Sequence, residues 1–264
     1  MPPITKILRN IHRAHEITRC MAETAEWRRI SLAYLGLSGL AYPYVLRLRS
    51  GEQIRFEEIT DLKAFWQVFL RRVYRVEAND RVILDLGANI GMFTLYAARR
   101  APQARIFSVE PFPSTFDRLV DTVRDHDLSS KVTCLQYALA ADEGTYAMLD
   151  AGVPSQRRAL IAKGSDRPGT QVPAKTLALL LHENALSQVD LMKIDVEGRE
   201  YEILLSTPPE LLTRIRRIAM EYHGDSAPHS KQKLFNYLDQ AGFAVQWDVC
   251  DAQGYGLTEL ILQN

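Results

Sequence analysis

At 264 residues the chain has room for one large domain with an elaboration, or for a domain and a small N-terminal subdomain, and 47% apolar residues suffice for a sizeable buried core. The 32 Lys and Arg balance the 32 Asp and Glu, so the net charge of zero excludes a broad electrostatic footprint for nucleic acid, though not a local basic patch. Three scattered cysteines, Cys20, Cys134 and Cys250, lack zinc-ligand spacing, and the N-terminus has no signal-peptide apolar region; together they predict reduced thiols in a cytoplasmic protein.

Residues 4–30 place Ile4, Ile7, Leu8 and Ile11 at helical spacing, with Lys6, Arg9 and Arg13 on other faces. That pattern predicts a helix packed on the domain or on a second subunit, so a homodimer is one expectation. Glu16, Glu23 and Glu26 count against a membrane-surface helix. The uncharged stretch Ile30 to Leu46 is short for a span and is broken by Gly36, Gly39 and Pro43, which predicts a helix followed by a loop and no membrane crossing. Residues 44–49 and 53–56 read as a hairpin turning at Ser50-Gly51. Asp61 is the expected N-cap of a helix carrying Phe65, Trp66, Phe69, Leu70 and Val73, aromatics whose spacing suits a core.

From Arg81 onward strand and helix patterns alternate, predicting an α/β fold with a mostly parallel sheet covered on both faces. Strands are expected near 81–86, 104–110, 131–136, 189–195, 215–223, 243–248 and 256–262, and helices near 91–100, 114–127, 176–186, 198–206 and 230–241. Residues 150–170 form the longest irregular stretch, a candidate border of an acceptor site.

The first strand runs into Asp85-Leu86-Gly87-Ala88-Asn89-Ile90-Gly91, and the second ends on Glu110. Strand, glycine turn, helix, strand and carboxylate make a nucleotide-binding half-fold. The glycines follow neither GxGxxG nor a Gly-Lys-Ser/Thr phosphate loop, so the pattern favours S-adenosylmethionine over NAD or ATP. Gly87 can take dihedrals that a Cβ forbids, Asn89 tolerates a left-handed conformation, and Gly91 opens the helix. The N–H groups of that helix start suit the methionine carboxylate, and Asp85 can take a hydrogen bond from the same portion. Glu110 can accept from both ribose hydroxyls.

Ligands of open α/β sheets gather at the carboxyl ends of the strands. Two further strand ends carry polar side chains there: Lys193, Asp195 and Glu197 in one, Glu221 and His223 in the other. Alternation puts each set on one face, and neighbouring strands would bring them to one cleft. His223 is the first candidate general base; Lys193 would need a lowered pKa, which Asp195 opposes. A divalent ion held by Asp195, Glu221 or His223 is an alternative route that is not favoured, and no metal ligand is assigned.

Asp-Leu-Gly-Ala-Asn-Ile-Gly (85–91), Glu-Pro-Phe-Pro (110–113), Lys-Ile-Asp-Val-Glu-Gly (193–198) and Glu-Tyr-His (221–223) resemble the motifs of the FkbM family of S-adenosylmethionine-dependent methyltransferases. The resemblance covers roughly residues 44–224. It implies a Rossmann-like class I methyltransferase sheet of seven strands over 76–264, with residues 1–75 as a helix and hairpin extension covering the acceptor site or contacting a second subunit. It further implies O-methylation of a small hydroxylated acceptor, such as a polyketide, sugar or other secondary metabolite. The cofactor-binding set is then Asp85, Gly87, Ala88, Asn89, Gly91, Glu110, Pro111, Phe112, Ala138 and Asp195, and the catalytic set His223, Lys193, Asp195 and Glu221. Lys175-Thr176-Leu177-Ala178 departs from the family's Thr-Leu-Asp, leaving Ala178 without the expected carboxylate. Competing readings are a nucleic-acid or protein methyltransferase, for which the Asn/Asp-Pro-Pro-aromatic motif is missing, a cofactor-binding scaffold without chemistry and, more distantly, an NAD oxidoreductase.

Overall fold

Two helices occupy the described part of the N-terminal region, the second overlapping the start of the helix expected from Ile30. α1 (Ala14–Glu23) and α2 (Trp27–Tyr34) part at Thr24, whose hydroxyl donates to the Arg47 carbonyl (2.8 Å) and accepts the Glu26 N–H (3.1 Å). Such side-chain bonds compete with the helical ladder. The computed structural model describes residues 14–148, 160–163, 169–224, 230–251 and 254–263; the expected helical positions Ile4 to Ile11, and 150–159 and 164–168 of the expected loop, lie outside them. The chain divides into two units, one ending at Val73 and the other beginning at Tyr74.

In the first unit β1 (Tyr44–Arg47) pairs antiparallel with β2 (Gln53–Phe56), and Gly51 takes the left-handed turn position between them. Asp61 does not stand at the N-cap of α3 (Ile59–Phe65). It occupies the third helical position, where its carboxylate reaches back to the N–H groups of Glu57 (2.7 Å) and Glu58 (3.4 Å). The helix runs on as a π-helical turn, Trp66–Arg71, and stops where Arg72 turns left-handed. Phe65, Trp66, Phe69 and Leu70 are buried, as their spacing implies.

In the second unit β3 (Val82–Leu86), α4 (Met92–Arg100), β4 (Arg105–Val109), α5 (Pro113–Asp125) and β5 (Val132–Leu135) follow in order. A second, small sheet comes next, made of β6 (Ala138–Leu139), β7 (Gly144–Met148), β8 (Leu160–Lys163) and β9 (Thr170–Lys175). Then come α6 (Leu177–Glu183), β10 (Leu191–Ile194), α7 (Glu200–Ser206), α8 (Pro209–Leu212), β11 (Arg217–Tyr222), α9 (Lys231–Gln240), β12 (Phe243–Cys250) and β13 (Gly256–Leu262). The large sheet has the order β5-β4-β3-β10-β11-β13-β12, with only β13 reversed. The expected α/β, Rossmann-like, mostly parallel seven-stranded sheet is therefore present.

The irregular stretch expected over 150–170 is partly strand. β8 lies within it, in a sheet of order β6-β9-β7-β8 that pattern reading missed. Pro173 sits inside β9, a position that argues against an interior strand. It is tolerated because β6 pairs only with Ala174 and Lys175, leaving Pro173 at an edge on that side.

Alternation sorts the large sheet into two faces. Leu84, Leu86, Phe107, Val109, Met192, Ile194, Ile218 and Met220 pack in one apolar cluster with residues of α6, α7, α8 and α9. The opposite face carries Asp85, Ser108 and Lys193, and α4 reaches it through Thr94. None of Cys20, Cys134 and Cys250 is in a disulfide, and no helix among the described residues is long and apolar enough to cross a membrane.

The end of the sheet remote from the strand carboxyl termini is held by ions. Arg217, fully buried, is bidentate to buried Asp80 (2.7 and 2.9 Å) and also meets Glu259 (3.3 Å), while Arg216 bonds Asp80 (2.7 Å) and Glu77 (3.2 Å). Removing one member strands a buried charge, at a cost of about 3–5 kcal/mol. Asp80→Ala should therefore lower the urea midpoint by that equivalent at unchanged m-value, read by equilibrium unfolding.

Candidate active site

One row of side chains crosses the polar face of the large sheet. Strand register sets Lys193 opposite Asp85 on one side and Ala219 on the other, and Asp85 opposite Ser108. The Lys193 ammonium, buried, donates to the Gly87 carbonyl (2.6 Å), and lies 3.2 Å from Asp85 Oδ1 and 4.0 Å from Asp195 Oδ2. Burial alone would lower the Lys193 pKa, but the charges of Asp85 and Asp195 outweigh it and raise it above the usual lysine value. That direction works against the expected role of Lys193 as a base and favours the charged ammonium as a counter-ion for Asp85 and Asp195. Asp85 is wholly buried, with Oδ2 accepting the Thr94 hydroxyl (2.7 Å) and Oδ1 3.2 Å from the Lys193 ammonium.

The glycine bend has the conformation its residues predicted. Gly87, Asn89 and Gly91 all take positive φ (77°, 50° and 83°). A Cβ on Gly87 would lie 1.8 Å from the Asp195 carbonyl oxygen, so only glycine lets this bend approach the end of β10. Gly91 is the N-cap of α4, where a Cβ would press on Leu119 at 2.9 Å. The N–H groups of Gly87 and Ala88 bond the Val109 carbonyl and that of Gly91 bonds the Ala88 carbonyl, so the anion-binding donors left are those of the first turn of α4.

Glu110 closes this half of the site. Its Oε2 accepts the Asn89 N–H (2.9 Å) and its Oε1 the Phe112 N–H (3.0 Å). Each oxygen thus keeps a lone pair, which is what two vicinal hydroxyls require. Burial pushes its pKa up to about 7, against the pull of those two N–H groups and of Lys193. Phe112 and Ala138 are buried and share an apolar cluster with Tyr146, Met148 and Val172 of the small sheet, which places them in its core; Pro111 is half-buried beside Glu110.

At the ends of β10 and β11 the expected convergence is present and denser than alternation implied. Buried Tyr74 places its hydroxyl 3.5 Å from both Asp195 Oδ2 and Glu221 Oε2. His223 has a carboxylate at each ring nitrogen: Glu200 Oε1 at 3.1 Å from Nδ1 and Glu197 Oε2 at 3.6 Å from Nε2. One ligand-type atom from each of Asp195, Glu197 and His223 lies within 4.8 Å of the others, a spacing a shared cation or a shared proton can use. Burial, with Asp195 as a second cause, raises Glu197 to about 8 and Glu221 to about 7, and burial also raises Asp195. Burial alone would lower His223, but the hydrogen bond and charge of Glu200, with Asp195 and Glu197, hold it at about 9. The surrounding carboxylates thus favour the protonated ring, against the neutral imidazole expected from the ordinary histidine value.

A family model for the methyltransferase FkbM domain matches residues 85–245, spanning the bend, Glu110 and both polar strand ends. The chain belongs to the FkbM family of S-adenosylmethionine-dependent methyltransferases. It is 27% identical over 235 residues to methyltransferase sdnD of Sordaria araneosa, covering 76% of this chain and 90% of that one. It is 27% identical over 182 residues to the hexuronic acid methyltransferase AglP of Haloferax volcanii, covering 67% and 70%. To the 31-O-demethyl-FK506 methyltransferase FkbM of Streptomyces tacrolimicus it is 25% identical over 210 residues, covering 68% and 78%.

Within this FkbM fold, Tyr74 and Glu200 escaped sequence reading. Glu200 had a signal, three residues after Glu197 in a helix start, but was read as helix only. A lone tyrosine like Tyr74 offers no local signal. The close approach of bend and β10 yields a direct expectation: Gly87→Ala adds a Cβ at positive φ against a fixed carbonyl and should cost at least about 2 kcal/mol, seen as a fall in melting temperature with loss of cofactor binding.

Proposed function

We propose that this FkbM-family methyltransferase is an O-methyltransferase acting on a neutral hydroxyl of a small molecule. The observation that carries this reading is the proton-accepting cluster of Asp195, Glu197, Glu221 and His223 beside the glycine bend. A hydroxyl must lose a proton as its bond to carbon forms, whereas a carboxylate acceptor at neutral pH has none to lose. The names of two relatives support a small-molecule acceptor, one a hexuronic acid and one a 31-O position.

The residues fit the methyl donor. Glu110 holds lone pairs for the ribose hydroxyls, the first turn of α4 offers N–H groups to a carboxylate, and Gly87 leaves the space a Cβ would fill. The donor supplies a methyl on a sulfonium, a leaving group already activated. What remains for the protein is alignment, exclusion of water and removal of one proton. The bound donor would give its methyl to the acceptor oxygen and leave as the thioether, and the cluster of Asp195, Glu197, Glu221 and His223 would take the hydroxyl proton. His223 is the assigned base. With the protonated ring favoured in the free protein, it becomes available when a cationic sulfonium nearby disfavours its charge. Asp195 and Glu221, with the Tyr74 hydroxyl between them, line the same cleft and receive or relay that proton.

Two measurements test this reading. Charge-assisted bonds from Glu110 are worth roughly 1.5–3 kcal/mol each, so Glu110→Ala should weaken S-adenosylmethionine binding at least about tenfold by calorimetry; unchanged affinity removes the assignment. The cluster groups titrating at about 7, 8 and 9 are more positive when protonated and then oppose a sulfonium. Affinity for S-adenosylmethionine should therefore rise with pH across that window, with proton release on binding. S-adenosylhomocysteine lacks the sulfonium, so over the same range its affinity should follow Glu110 alone. Parallel profiles for the two ligands would place the sulfonium away from the cluster.

A further inference from the structure

Glu200 is the most buried carboxylate of the cluster, wholly inaccessible to solvent. It is the first residue of α7, and it bonds backwards into the turn before it. Oε1 accepts the Val196 N–H (2.9 Å), and both oxygens accept the Gly198 N–H (3.2 and 3.1 Å). That turn is left-handed at Glu197 and Gly198, and the Glu200 carboxylate supplies the acceptor for the N–H groups of half-buried Val196 and Gly198. The carboxylate is consequently fixed in place before any side chain meets it. Its Oε1 then meets His223 Nδ1 at 3.1 Å.

We propose that Glu200 is a positioning residue of the methyltransferase: anchored by the Val196 and Gly198 N–H groups, it grips His223 at Nδ1 and turns Nε2 toward Asp195 and Glu197. A histidine whose Nδ1–H is bound by a carboxylate is held in one tautomer and is made a stronger base at the other nitrogen. The side chain therefore sets both the direction and the basicity of the ring. The catalytic consequence rests on the methyl-transfer reading above, while the grip itself does not.

His223 is faced by Glu200 from α7, by Asp195 and Glu197 from the segment after β10, by Glu221 from β11, and by the Tyr255 ring, edge-on with centroids 5.7 Å apart. Replacing Glu200 alone leaves the other four in place. Glu200→Gln removes the charge and keeps one oxygen that can still accept from both the Val196 and Gly198 N–H groups, its NH2 replacing the second acceptor for Gly198. The test is a nitrogen- and carbon-detected NMR titration of the His223 ring in the ligand-free protein, for the wild type, Glu200→Gln and Glu197→Gln.

The expected result is an Nδ1–H tautomer for the neutral ring of the wild type. Glu200→Gln should lower the midpoint by at least about one unit, a tenfold loss of proton affinity, and Glu197→Gln should lower it by less. An unchanged midpoint in Glu200→Gln, or a larger fall in Glu197→Gln, overturns the proposal. If Glu200→Gln does not fold, the wild-type tautomer decides: Nδ1–H supports the grip and Nε2–H overturns it. Calorimetry of S-adenosylmethionine on the wild type separates the two claims, because failure to bind sinks the methyl-transfer reading and leaves the His223 titration standing.

Discussion

The bend after β3 and the end of β10 touch backbone to backbone, and the rest of the site depends on that contact. The Asp195 N–H bonds the Leu86 carbonyl (3.1 Å), and the Asp195 carbonyl fills the space where a Gly87 side chain would begin. A parallel pair spreads apart where its strands end unless something holds it. Here the absence of one Cβ allows the bend to close over the neighbouring strand, and Val109 binds it from the other side through Gly87 and Ala88. The bend is thereby fixed by main chain, whose geometry varies less than that of side chains. Glu110 enters the same frame through the Asn89 N–H, which ties the acid to the bend.

The two ends of the sheet treat charge in opposite ways. At the strand beginnings, Arg216 and Arg217 share Glu77, Asp80 and Glu259 over short contacts, and the ions largely satisfy one another. At the strand ends, Lys193 and His223 face Asp85, Asp195, Glu197, Glu200 and Glu221, an excess of carboxylates in a partly dry cleft. The first arrangement costs desolvation and returns rigidity. The second leaves groups whose proton affinities are raised toward the physiological range, which is the property a general base needs and a merely structural network does not.

Much of this was legible in the chain. The spacing of Gly87, Asn89 and Gly91 announced a left-handed bend because few other residues take those dihedrals, and Glu110 stood one strand later where an acid meets a ribose. Adjacency of β10 and β11, and so the meeting of Asp195 with Glu221 and His223, followed from strand order. Other features depended on tertiary burial. The bonds of Asp85 to Thr94 and Lys193 were hidden because they form only when α4 and β10 are packed beside β3. The basicity of His223 was misjudged because its partner, Glu200, belongs to the following helix and reads in sequence as an ordinary first-turn acid. The small sheet was missed because β6 has two residues and β9 contains Pro173, so neither announces a strand by pattern.

Lys193 joins the two halves electrostatically. Almost fully buried, it lowers the proton affinity of Glu110 on one side and of Asp195 and Glu221 on the other. In each case burial pushes the carboxyl up and the ammonium pulls it part of the way back. Without that charge the acid beside the bend would drift further toward its neutral form, and a neutral carboxyl is a poorer acceptor for a pair of hydroxyls. The acids at the β10 and β11 ends would drift the same way and lose their capacity to take a proton. The Coulomb energy of one ammonium falls off only as the inverse of distance inside a low-dielectric cleft, so a single buried charge can serve acids in both halves at once. Its position is set by the register that places Lys193 beside Asp85, and strand pairing thus fixes the proton affinities on which both halves of the site depend.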